Sequence, residues 1–180
     1  MYYDSILIRK LTSLEIADLL EELANNDSLW TNHMYDLKYT ELKEGKSMHL
    51  QWTDDDLNII QKKWELFQKT KNILKSIVGN NSMGRVYWHR LLPGDKINKH
   101  TDANVPFVKS NKLKNRYQIY LEVDNDVEIF FDNRIIDGLK ISNSIINFPL
   151  KSMHYYKNNS NSTVYLLVFD DIGLPQSILA

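Results

Sequence analysis

The chain has no cysteine, only four prolines and six glycines in 180 residues, and almost no excess of either charge. Without cysteine there are no disulfides, no thiolate zinc sites and no cysteine nucleophile. A net charge of −1, from 22 basic and 23 acidic residues, supplies no electrostatic case for nucleic acid or an anionic membrane surface. No apolar run approaches the ~20 residues needed to cross a bilayer. The N-terminus carries no signal or transit pattern, since Ser5–Arg9 is short and interrupted by charge. These absences lead us to expect a cytoplasmic protein with neither a nucleic-acid nor a membrane partner, and they leave the oligomeric state open.

What is present describes a folded chain. Hydrophobic residues make up 43% and aromatics 11%, which argues against disorder. The length suits one domain, 1–180, with a sizeable core. Residues 1–80 read as a helix-rich support region and 84–171 as a strand-rich core. Thr12-Ser-Leu-Glu15 has the form of a capping box, opening a helix with Ile16, Leu19, Leu20 and Leu23 on one face. A longer helix is expected at about 54–78. Asp54, Asp55 and Asp56 would stand at its positive end, Leu57, Ile60, Trp64, Phe67, Leu74 and Val78 would form its apolar stripe, and Gly79 would cap it. The segment 27–53 gives no clear pattern.

The second half alternates in polarity. Arg85–Leu92 reads as a strand, followed by a turn at Pro93-Gly94-Asp95. Further strands are expected at 116–123, 127–131, 134–136, 142–148 and 163–169, with turns at 124–126, 132–133 and 137–138. Strands of this number and spacing, preceded by helices, predict a mainly β fold with flanking helices, a jelly roll with the helices backing one sheet.

On this framework stands the triplet His100-Thr-Asp102, just beyond the Pro93 turn, with His154 far downstream, close to the end of a strand-like run. Two imidazoles and one carboxylate gathered on one face of a metal are the donor set that binds iron(II) and leaves positions open for oxygen. A surface histidine beside a turn aspartate is the plainer reading of the triplet alone; convergence with His154 would decide between them. The connection from Ala103 to Asn115, with Lys109, Lys112 and Lys114, is long enough for a binding loop, although a solvated surface explains its charge equally well.

From Arg90-Leu-Leu-Pro-Gly-Asp95 through His100-Thr-Asp102, Arg116, Phe148-Pro149, His154 and Val164–Asp170, the chain resembles the iron(II)/2-oxoglutarate dioxygenases. Its pattern is closest to the aspartyl/asparaginyl β-hydroxylase-like branch. The resemblance covers roughly residues 84–171. It implies a double-stranded β-helix of cupin-like form, iron(II) held by His100, Asp102 and His154, and 2-oxoglutarate and O2 as cosubstrates. The implied reaction couples decarboxylation of the keto acid to hydroxylation of a C–H bond, in a peptidyl side chain or an amino-acid-like small molecule.

One departure matters. The family's arginine about ten residues beyond the distal histidine, which clamps the far carboxylate of 2-oxoglutarate, is Val164 here, and no arginine follows Arg134. A buried carboxylate without a cation is costly. Arg116 is the first candidate to replace it, since a planar guanidinium suits a bidentate contact. Gln118 could donate beside it, and Arg90 and Thr163 are weaker candidates. A strand arginine paired with Glu122 or Glu128 is the alternative for Arg116. Two rivals to the oxygenase remain: a jelly-roll metalloenzyme that does not use 2-oxoglutarate, and a non-catalytic jelly-roll binding domain.

Overall fold

A computed structural model describes residues 6–31, 40–41, 47–53, 59–79, 81–104, 113–131 and 133–175. The strands are β1 (Leu7–Lys10), β2 (Thr40–Glu41), β3 (Ser47–Thr53), β4 (Ile59–Lys62), β5 (Asn81–Leu91), β6 (Lys96–His100), β7 (Asn115–Leu121), β8 (Val127–Phe131), β9 (Arg134–Asp137), β10 (Ser144–Phe148), β11 (His154–Asn158) and β12 (Val164–Pro175). The helices are α1 (Ser13–Asn25), α2 (Gln68–Val78) and a single turn, α3 (Gly138–Ile141). The strands form two sheets, one of seven in the order β1-β10-β7-β12-β5-β3-β4 and one of five in the order β2-β6-β11-β8-β9. Neighbouring strands pair antiparallel throughout. This is the expected mainly β double-stranded β-helix.

Alternation along the strands divides the apolar residues between two layers. Along β12, Val164, Leu166 and Val168 enter the space between the sheets, where they meet Ile97, Ile129, Phe131 and Tyr156 of the smaller sheet. Leu167 and Phe169 point the other way and pack with Leu19 and Leu23 of α1 and Leu74 and Val78 of α2. The large sheet is therefore buried on both faces, and the helices back it as expected.

The capping box holds: Glu15 N donates to Thr12 Oγ1 at 3.2 Å and Thr12 N donates to Glu15 Oε2 at 2.8 Å. The long helix expected at 54–78 requires correction. Its middle is β4 and a 3₁₀ turn, Trp64–Leu66, and the α-helix runs only from Gln68 to Val78. The start is set from a distance, because Glu22 of α1 accepts hydrogen bonds from Lys69 N, Thr70 N and Thr70 Oγ1. Its carboxylate satisfies donors that the first turn leaves open, and favours the positive end of the helix. Gly79 ends the helix as expected, at φ +62°. The triple aspartate lies outside the described residues. The first 80 residues are also less helical than expected, since they contribute β1 to β4. The Asp137-Gly138 turn is the capped start of α3, with Leu139 N donating to Asp137 Oδ1. No helix among the described residues is long and apolar enough to cross a membrane.

Candidate metal centre

The register of the smaller sheet brings the histidines together. His154 opens β11 and His100 closes β6, and the two are cross-strand partners, a spacing that sets side chains on one face a few ångströms apart. Their ring centroids are 4.1 Å apart. Asp102 follows on a 3₁₀ turn, and one ligand atom from each of His100, Asp102 and His154 lies within 4.8 Å of the others. Thr101 ties this turn down: its hydroxyl donates to Lys151 O on the approach to β11 and accepts from Ala103 N. The His-x-Asp triplet and the distal histidine thus converge.

Both rings are held in one tautomer. His100 Nδ1 lies 2.7 Å from Asn98 O, and His154 Nδ1 lies 3.0 Å from Ser152 O. A carbonyl only accepts, so each Nδ1 carries a proton and Nε2 is the atom each ring can offer a metal. Phe148 packs edge-on against His154 at 4.7 Å and Phe131 lies behind it. Burial pushes the His154 imidazole down to about 4, against the opposing pull of Asp102. Burial alone would raise Asp102, but Arg116, His154 and His100 outweigh it and hold the carboxyl below its usual value. At neutral pH, His154 is neutral and Asp102 ionised, as metal binding requires.

Arg116, at the head of β7, sits directly behind Asp102. Its Nη1 donates to Asp102 Oδ2 at 2.5 Å, and its Nε and Nη2 donate to Asp170 at 2.7 and 3.1 Å. Neither Glu122 nor Glu128 is its partner. Gln118 projects inward two residues further along, and its Oε1 accepts from the hydroxyls of both Tyr120 and Tyr156. Arg90 lies elsewhere: it pairs with Asp27 at 2.7 Å and covers the Trp30 ring on the helix side of β5. Thr163 precedes β12, seven positions from Asp170 and so about 20 Å away along the strand. Val164 and Leu166 line a small cavity there, with Leu91, Tyr120 and Ile129. His89 hydrogen-bonds Ser47 Oγ through Nδ1 at 3.0 Å.

Sequence reasoning missed Asp170 as a site residue. The signal was present: Val164, Leu166, Val168 and Asp170 share one face, and a carboxylate ending an apolar face needs a buried partner. Most of the Ala103–Asn115 connection lies outside the described residues.

No family model matches the chain, and no curated protein matches it. Solved structures do. A prolyl hydroxylase from Trichoplax adhaerens, in complex with a hypoxia-inducible-factor peptide, is similar at TM-score 0.58 and 11% identity, over 93% of this chain and 82% of the other. A 2OG-Fe(II) oxygenase family oxidoreductase from Burkholderia pseudomallei is similar at 0.54 and 13%, over 86% and 81%. A collagen prolyl hydroxylase of Paramecium bursaria Chlorella virus-1, in its 2OG complex, is similar at 0.53 and 14%, over 89% of each chain. At these identities the likeness is one of architecture, and the chain shares the double-stranded β-helix fold of the 2-oxoglutarate/iron(II) oxygenases.

Proposed function

We propose that the protein is an iron(II)/2-oxoglutarate-dependent oxygenase that hydroxylates a peptidyl side chain or an amino-acid-like small molecule. The observation that carries this reading is the convergence of His100, Asp102 and His154 within 4.8 Å inside this fold. Two imidazoles and an ionised carboxylate suit iron(II). The metal, when bound, would supply oxygen activation coupled to keto-acid decarboxylation. The chain's own residues orient the ligands: carbonyls fix the histidines, Arg116 holds one oxygen of Asp102, and Phe148 and Phe131 cover His154.

For the cosubstrate, we assign the two inward-facing candidates different tasks. Arg116 already engages two carboxylates, so its principal part is to hold Asp102. The Gln118 amide oxygen is turned to two tyrosine hydroxyls, which directs its NH2 away from them as a donor for a carboxylate. A peptide substrate is supported by the prolyl hydroxylase similar in fold and bound to a peptide. It is supported also by the aromatic rings of His49, Trp52 and Tyr87, which pack in sequence along β3 and β5. The narrower likeness to aspartyl/asparaginyl hydroxylases rests on the sequence pattern.

The test is the anaerobic visible spectrum of the iron(II)-loaded protein with and without 2-oxoglutarate. A new metal-to-ligand charge-transfer band on adding the keto acid is expected, weakened in Gln118→Leu at equal iron occupancy. No band with iron bound would favour the second reading, a metalloenzyme of the same triad that does not use 2-oxoglutarate. The observation behind that reading is the apolar lining around Val164.

A further inference from the structure

We propose that Asp170 is a positioning residue for the metal centre, acting through Arg116 on Asp102, and that a β-bulge in β5 makes room for it. The inference rests on the reading of His100, Asp102 and His154 as metal ligands. Asp170 is fully buried and Arg116 is 5% exposed. The three side chains form one line, in which Asp170 grips Nε and Nη2 of the guanidinium and Asp102 takes Nη1.

The charge count explains why two carboxylates stand there. One buried arginine needs one carboxylate for neutrality, so the trio carries a surplus negative charge in a half-buried position, where a facing cation would offset it. The surplus lies at Asp102, whose other oxygen, Oδ1, lies on the side of His100, 3.9 Å from Nε2. With Asp170 offsetting the guanidinium charge, Arg116 can fix Asp102 Oδ2 without cancelling the charge that Asp102 offers a metal. Arg116 alone would hold the carboxylate in place but weaken it as a ligand.

The backbone is shaped around this pair. Asp170 is the register partner of Arg116. On its other side the pairing with β5 slips, since Phe169 faces Val86 but Asp171 faces Met83, so that Gly84 and Arg85 together oppose Asp170. A Cβ on Gly84 would lie 3.1 Å from Asp170 Cβ and 3.0 Å from Ile172 Cγ2. The bulge is tied from outside. Gln51 Nε2 donates to Met83 O and Gly84 O at 2.5 and 2.7 Å, Trp64 Nε1 donates to Gln51 Oε1, and Arg85 donates to Thr53 O.

The test is a cobalt(II) titration of the full-length apo-protein, followed by visible absorbance, with apo-protein melting as the control for folding. Asp170→Asn should weaken cobalt binding about 10- to 100-fold and shift the cobalt bands. The double variant Asp170→Asn/Arg116→Gln, which removes both charges, should recover part of that affinity. Gly84→Ala displaces Asp170 without changing charge and should lose several-fold. It also serves if Asp170→Asn fails to fold. Cobalt affinity and spectrum unchanged within twofold in the folded single variants would overturn the proposal. So would losses that simply multiply in the double variant, since groups acting on Asp102 through one charge pair must couple. No cobalt binding by the wild type would instead overturn the metal reading itself, and this inference with it.

Discussion

The two ends of β7 and β12 carry opposite chemistry on the same pair of strands. At one end Arg116 and Asp170 face each other and, through Asp102, the histidines. Near the other, Tyr120, Val164 and Leu166 close a small apolar cavity. The first end holds both carboxylate partners of the arginine, and the second holds valine where the resemblance would put an arginine. One continuous ladder thus divides its interior between a charged end beside the candidate metal centre and an apolar end devoted to packing. Substitutions at the two ends should consequently act on different observables.

The largest expected effect is at the charged end. His154→Ala, or His100→Ala, should abolish measurable iron(II) or cobalt(II) binding, a loss of at least about a hundredfold. Retention of the far-UV circular dichroism spectrum would show that the fold survives. Leu166→Ala should do the reverse, costing about 2–5 kcal/mol of stability by denaturant titration while metal affinity stays within a fewfold of wild type. Metal affinity falling in step with stability would erase the division between the ends.

Acid should act on the charged end of the apo-protein. His154 is depressed to about 4 in the fold, from an ordinary 6.5. Between these values the unfolded chain binds a proton that the native state refuses, so stability is full above about pH 6.5 and declines as pH falls towards 4. The decline is up to about 3 kcal/mol by linkage. Asp102, held below its usual value, adds a further loss at lower pH still. Urea melts of wild type and His154→Asn across this range should show a flatter profile in the variant. The smallest effect lies outside the barrel, where Glu22→Gln should cost about 1–2 kcal/mol by weakening the α2 cap, with no change in metal affinity.

The alternation of 84–171 made β5, β7, β8, β9, β10 and β12 legible, because their period shows in the residues themselves, but not β6 and β11, the two strands that carry His100 and His154. The convergence of His100, Asp102 and His154 was legible because these donor types in that order are distinctive. The 54–78 segment misled for a physical reason: Trp64 and Phe67 are spaced like a helical stripe, yet they reach the core from a 3₁₀ turn and its edge. The true helix start depends on Glu22, 46 positions before Gln68, which local pattern cannot reveal. The strands β1, β2 and β4 have four residues or fewer, and β1, β2 and β3 take their pairing from β10, β6 and β5, so local pattern carries little of it. The partners of Arg116 were hidden for the same reason, since Asp170 meets it only through the β7–β12 register.

The cross-strand pairing of His100 and His154 has a mechanical consequence in a chain that has no cysteine. A metal held by both rings would join points 54 residues apart in sequence, a reversible cross-link closing a long loop across two strands of the smaller sheet. Occupancy at a hundred times the dissociation constant would add about 2.7 kcal/mol to the native state by mass action. Metal supply would then govern the lifetime of the folded protein as well as its chemistry, and starvation for metal would be felt first as a loosened β6–β11 pair.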